Sequence, residues 1–157
     1  ARWANKRWPA ESFETLTRQL LMEQSDLRVV VLGGLEDSEL GARISAVGAR
    51  CVDKTGQTTL PEMVEWIRAS EAMVTNDTGP MHVASALNKP VVALFGPTDP
   101  RRTGPYQARG SVLQTTAMDC VPCLLRTCTA ERERDCLRSI EVAKVAAEVR
   151  QVLVNGE

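Results

Sequence analysis

Val-rich apolar runs that alternate with segments of helical spacing constrain this chain more than any other feature. Residues 27–32 and 90–95 read as strands buried on both faces, the pattern of a parallel sheet. Behind Pro9, residues 10–24 place Phe13, Leu16 and Leu20 on one helical face. Residues 36–47 read as a second helix, ended by Gly48. Thr59 as N-cap, Pro61 in the first turn, and Leu60, Met63, Val64 and Ile67 mark a third. A fourth runs over residues 80–87, closed by Asn88 and Lys89, and Ser139 caps a last one through Val154. In that last helix Val142, Val145, Val149 and Val152 face inward. Shorter strands are predicted at Cys51–Val52 and at residues 72–75 and 111–114, and residues 96–106 read as a loop. Strand–helix alternation of this kind predicts an α/β fold, a parallel sheet with helices on both faces, in one domain spanning residues 1–157.

Such a sheet binds ligands beyond the carboxyl ends of its strands. That rule selects residues 33–36, 76–82 and 96–102. In Asn76-Asp77-Thr78-Gly79-Pro80 a strand turns into a helix N-terminus, where free N–H groups and the helix dipole attract anions. Thr78 offers a hydroxyl, and Gly79 lets a phosphate approach the backbone. Asp77 is an odd neighbour for a phosphate. Its carboxylate either caps the helix or accepts from sugar hydroxyls. His82, the single histidine, sits in the first turn, either as a structural residue or as a donor to a phosphate or sugar oxygen. Lys6 and Arg7 beside Trp8 form either a solvated basic loop or a diphosphate contact. Glu36 either favours the next helix or accepts from a ribose. The G-x-G-x-x-G spacing is absent, which speaks against an NAD site.

With 19 Lys and Arg against 20 Asp and Glu, the net charge of -1 gives no footprint for nucleic acid. No apolar run reaches membrane-spanning length, and the polar, basic N-terminal stretch is not a signal peptide. Cys120, Cys123, Cys128 and Cys136 form C-x2-C-x4-C-x7-C; with Cys51 the cysteines number five. Four thiolates can hold zinc or an iron–sulfur cluster, or can stay free in a reducing compartment. Arg126, Arg132, Arg134 and Arg138 surround them and are expected to lower the thiol pKa values.

Lys6-Arg7-Trp8-Pro9, Gly33-Gly34 with Glu36, Asp77-Thr78-Gly79 with His82, and residues 95–100 (FGPTDP) occur in this order. Together they resemble the C-terminal domain of glycosyltransferase family 9, the ADP-heptose:lipopolysaccharide heptosyltransferases, and the cysteine-rich tail resembles the second heptosyltransferase branch. The resemblance implies a Rossmann-like domain, the donor-binding half of a two-domain GT-B enzyme, with the acceptor domain and its catalytic base in a missing N-terminal half. It implies inverting transfer of heptose from ADP-L-glycero-D-manno-heptose to the lipopolysaccharide inner core, with no cofactor and no catalytic metal. Lys6 and Asp77 would be the catalytic residues on this half. Lys6, Glu36, Thr58, Asp77, Thr78, Gly79 and His82 would line the donor, Glu36 at the ribose and Thr58 beside the adenine. The half alone would bind donor weakly and turn nothing over. The whole enzyme would be cytoplasmic, touching the inner face of the inner membrane peripherally, in a Gram-negative bacterium. Two rivals remain on sequence: a UDP-sugar GT-B enzyme or epimerase half, and a non-catalytic module organised by a cysteine-bound metal.

Overall fold

The computed structural model describes residues 1, 3–106, 109–129 and 135–154. They divide into two compact units, residues 9–65 and residues 1–8 with 66–157. Among the described residues every strand pairing is parallel, as the alternation predicts, but the strands form two ladders rather than one.

In the 9–65 unit, β1 (Val29–Val31) pairs with β2 (Cys51–Asp53). Helix α1 (Ala10–Glu23) buries Leu16, Leu20 and Leu21, and Leu21 joins Ile44 and Cys51 in a small core flanked by Phe13, Leu27 and Val47. Here the sequence reading needs two corrections. All three β1 residues are half-buried rather than enclosed, because β1 has one ladder neighbour among the described residues. Residues 36–47 are not one helix: a 3-10 turn, Leu35–Asp37, precedes α2 (Ser38–Ser45). Asp37 causes the break. Its carboxylate accepts the Gly34 N–H at 3.2 Å, and its own backbone (φ -99°, ψ 2°) lies outside the helical range. Helix α3 (Leu60–Ala69) starts as predicted. Thr59 and Glu62 close a capping box, the Glu62 carboxylate accepting the Thr59 N–H and hydroxyl at 2.8 Å each. Those bonds hold the Glu62 carboxyl below the usual carboxylate range, the backbone bond contributing most.

Arg50 anchors this unit. Its guanidinium donates to the carbonyls of Gln24 (2.6 Å), Ser25 (2.9 Å) and Leu27 (3.1 Å), and also to that of Leu21. Carbonyls in the last turn of a helix have no partner within it, and a cation there also suits the helix dipole. Arg50 thus fastens the end of α1 to the start of β2.

In the other unit β4 (Val91–Phe95) is the central strand, between β3 (Met73–Asn76) and β5 (Gly110–Gln114). All five β4 residues are fully buried, as the Val-rich run predicts. Helices α4 (Gly79–Ala86) and α7 (Val142–Val154) pack on this ladder. Met81 and Ala84 of α4 and Val145, Val149 and Val152 of α7 are buried, while Val142 is half-buried. Asn88 ends α4 in the left-handed conformation (φ 55°). The 96–106 loop contains a short helix, α5 (Pro100–Thr103). Ser139 is not the cap of the last helix. A turn, α6 (Asp135–Arg138), comes first, and the Ser139 hydroxyl donates back to the Cys136 carbonyl at 3.1 Å. Among the described residues no helix is long and apolar enough to cross a membrane.

Arg50→Ala is expected to destabilise the chain by about 1.5–3 kcal/mol, the worth of hydrogen bonds to a charged group. Arg50→Lys should recover only part of that, since an ammonium cannot span the same fan of carbonyls. Urea unfolding of the three proteins measures both.

Candidate functional site

Strands β3 and β4 run in register, with Asn76 opposite Leu94, so the segments leaving their carboxyl ends emerge side by side. Asp77 follows β3 directly and is buried, with 7% of its surface exposed. Its Oδ2 receives the Lys6 ammonium at 2.6 Å and the Thr98 hydroxyl at 2.7 Å. A buried carboxylate is costly unless paired and hydrogen-bonded, and this one is both.

The Lys6 side chain is placed from two directions. Lys6 ends a 3-10 turn, Ala4–Lys6, and its ammonium lies 4.7 Å from the centre of the Trp3 ring, a cation–π arrangement. Two residues on, Trp8 is an anchor rather than a ligand contact, with only 2% of its surface exposed. Its backbone N–H donates to Asn76 Oδ1 at 2.9 Å, and its indole N–H to the Ile140 carbonyl at 3.2 Å. The basic segment is therefore fixed to the end of β3, not a freely solvated loop.

Of the two roles left open for Asp77, capping is not the one adopted, since the N-cap position of α4 falls on the next residue. Thr78 is the N-cap of α4, in extended conformation, and its side chain makes no capping bond. Gly79 is exposed, and a Cβ there would meet no atom within 4 Å. The helix N-terminus is thus open to an incoming anion, as the sequence suggests. Magnitudes rank the parts: a helix dipole contributes about 0.3–1 kcal/mol to an anion, whereas a charge-assisted bond of the Lys6 kind contributes about 1.5–3. His82 is exposed on α4.

Three residues have roles here that sequence reasoning does not give them. Thr98 stands in a quoted motif without a role there. Gln114, at the end of β5, donates to the Gly96 and Thr98 carbonyls at 3.0 and 2.7 Å and so sets the loop that carries Thr98. Asn76 holds Trp8. The available signal is positional: each is a polar residue at or just past the carboxyl end of a strand in one parallel ladder. Asp99 caps α5, accepting the Arg101 N–H at 2.9 Å, and its carboxylate also binds the Arg101 guanidinium at 2.8 Å. Those hydrogen bonds, the side-chain ones foremost, hold the Asp99 carboxyl below its ordinary range.

Glu36 and Thr58 belong to the 9–65 unit. Glu36 is exposed in the 3-10 turn after β1, its carboxylate folded over Gly34, and Thr58 is half-buried just before α3. Cys136 is buried, Cys123 and Cys128 half-buried and Cys120 exposed, all as free thiols. Contrary to the expectation from the nearby arginines, the Cys136 thiol is pushed up, chiefly by burial. Arg132 and Arg134 lie outside the described residues. Among the described residues no three His, Cys, Asp or Glu side chains are gathered closely enough to hold a metal ion as they stand.

Two variants separate structure from binding here. Thr98→Val removes the hydroxyl on buried Asp77 and is expected to destabilise the chain by about 1–3 kcal/mol. Gly79→Ala adds a methyl group into open space, so its thermal midpoint should match the parent while its affinity for a nucleoside diphosphate falls. Thermal unfolding with and without ADP reads both.

Comparison with known proteins identifies the family. The sequence profile of glycosyltransferase family 9 (heptosyltransferase) matches residues 1–133. Lipopolysaccharide heptosyltransferase 2 of Escherichia coli K12 is 41% identical over 114 residues, which are 69% of this chain and 32% of that protein. The solved E. coli ADP-heptose lipopolysaccharide heptosyltransferase II superposes with a TM-score of 0.79 at 34% identity, covering 98% of this chain and 44% of that one. A family 9 glycosyltransferase from Veillonella parvula superposes with a TM-score of 0.81 at 28% identity, over 99% of this chain and 44% of that one. The chain thus spans between a third and a half of the length of these relatives. The profile match over residues 1–133 and the 41% identical relative show that the chain belongs to glycosyltransferase family 9.

Proposed function

We propose that this chain is the donor-binding part of a heptosyltransferase, which moves heptose from ADP-L-glycero-D-manno-heptose to the inner core of lipopolysaccharide. The observation that carries the reading is the Lys6–Asp77–Thr98 cluster beside the open N-terminus of α4. In glycosyl transfer an acceptor hydroxyl attacks the anomeric carbon as its bond to the phosphate oxygen breaks. Negative charge then grows on the departing diphosphate. Lys6, fixed by Asp77, supplies a positive charge to that leaving group, and the N–H groups around Thr78 and Gly79 supply preorganised donors. Lys6 and Asp77 are the catalytic residues of this half in the proposal.

Glu36 receives the ribose hydroxyls, Thr58 lies at the adenine, and His82 at the sugar–phosphate junction. The base that takes the acceptor proton, and the acceptor site itself, lie in an N-terminal domain outside this sequence. The proposal includes no cofactor, no catalytic metal and no nucleic-acid partner. The complete enzyme works on the cytoplasmic face of the inner membrane as a peripheral protein. Support comes from the family, from relatives named for this reaction, and from the chemistry of the strand ends.

A thermal-shift titration with ADP, ADP-heptose and UDP tests the reading, because a ligand that binds only the folded state raises its midpoint. ADP and ADP-heptose are expected to raise it and UDP not. Lys6→Ala should weaken ADP binding about tenfold, the scale of one charge-assisted contact. A rise with UDP alone would assign a different donor. The chain by itself should transfer no heptose.

A further inference from the structure

Lys6 alone does not supply the net positive charge that a diphosphate calls for. Its ammonium is paired with the Asp77 carboxylate at 2.6 Å, so the two charges cancel. The N-terminus of α4 adds only about half an elementary charge. A departing nucleoside diphosphate carries several negative charges, so the site as described leaves most of them uncompensated. Two nearby arginines are committed to other partners. The Arg101 guanidinium is bound to Asp99 at 2.8 Å, and Arg7 Nε donates to the Ala1 carbonyl at 2.9 Å. Arg126 differs. It is exposed, and among the described residues its guanidinium makes no ion pair.

The chain around Arg126 is tied to both sides of the Lys6–Asp77–Thr98 cluster. Leu124 holds the left-handed conformation (φ 59°), which a leucine rarely adopts, so the connection from β5 to α6 turns sharply here. Apolar packing does not set this turn, since Leu124 and Leu125 are 49% and 45% exposed. Two hydrogen bonds do. The Leu124 N–H donates to the Pro97 carbonyl at 2.7 Å, one residue before Thr98. The Leu125 carbonyl accepts from the side chain of buried Asn5 at 2.8 Å, one residue before Lys6. Arg126 follows directly, and its guanidinium lies 5.4 Å from the centre of the half-buried Trp3 ring. The Lys6 ammonium lies 4.7 Å from the centre of the same ring. One indole thus seats two cations, whose mutual repulsion is relieved when an anion arrives beside them.

We propose that Arg126 is the second cation of the diphosphate site. Its guanidinium donates to a phosphate oxygen of the donor and, with Lys6, takes up the charge that grows on the leaving diphosphate. Arg126 stays protonated throughout and exchanges no proton. Trp3 is the positioning residue that sets the two cations side by side. The assignment rests on the donor-site reading and adds to it a residue that none of the sequence motifs contains.

The test titrates the chain and its Arg126→Gln and Arg126→Lys variants calorimetrically, with ADP and with inorganic pyrophosphate. Arg126→Gln should weaken ADP about tenfold, the scale of one charge-assisted contact, and pyrophosphate by a similar factor. Arg126→Lys should recover part of that loss, because it keeps the charge without the planar fork. Without ligand, the thermal midpoint and the Lys6 backbone amide signal of Arg126→Gln should stay close to those of the parent. A purely structural Arg126 gives the opposite pattern, a lower midpoint with ADP affinity unchanged, and that result overturns the proposal. Equal ADP affinity in parent and Arg126→Gln at equal midpoint overturns it too, and leaves the donor-site reading standing. If the parent binds pyrophosphate but not ADP, the donor-site reading fails, and the pyrophosphate affinity of Arg126→Gln still decides whether Arg126 holds phosphate. If the parent binds neither, the reading and this assignment both fall.

Discussion

The rest of the site depends on one buried carboxylate. Asp77 sits at the end of β3 with its charge out of water, and Lys6 and Thr98 hold it there. Remove either partner and a buried acceptor loses part of its compensation, which costs more than the contact contributes in isolation. The Lys6 contact closes the N-terminal segment onto the ladder, and the Thr98 contact closes the β4–α5 loop. Trp8 on Asn76 and Gln114 on the same loop then make those two closures rigid. A cation held this way has little freedom left to lose, which is what preorganisation for an incoming anion requires.

Much of the fold is legible in the sequence because period and burial agree. The run 90–95 is apolar throughout and becomes the fully buried β4, and Val145, Val149 and Val152 become the inner face of α7. Reading fails where a side chain competes with the backbone pattern. Asp37 binds the Gly34 N–H and splits the predicted second helix, and the Ser139 hydroxyl donates backwards instead of capping. It fails too where burial depends on neighbours, as with the half-buried valines of β1. For the candidate site, the motifs single out Lys6, Asp77, Thr78 and Gly79, but not that Lys6 and Asp77 touch across 71 residues. That contact is a product of chain topology, which no local period encodes. Thr98 lies in the selected 96–102 stretch without a role, because a threonine in a loop carries no chemical signature until the register of β3 and β4 is known. Glu36 and Thr58 fall in the other compact unit, and the sequence gives no sign of that division.

The two electrostatic elements of the site have different origins. The helix N-terminus follows from Thr78-Gly79-Pro80 alone, a local feature that recurs in many α/β proteins. The lysine is non-local, and under the proposal it is the larger of the two contributions to a bound diphosphate. A family match that stops at residue 133 covers both of them. The cysteine-bearing segment then stands as support around this pair, touching the residue before Lys6 and the residue before Thr98.

The most direct test follows the backbone amides of Lys6, Thr78 and Gly79 by heteronuclear NMR during parallel titrations with ADP and with adenosine. ADP should shift all three in a saturable way, and adenosine, which lacks the diphosphate, should leave them in place. If ADP saturates the protein while these three amides stay unmoved, the diphosphate does not bind at the end of β3, and the central claim is wrong.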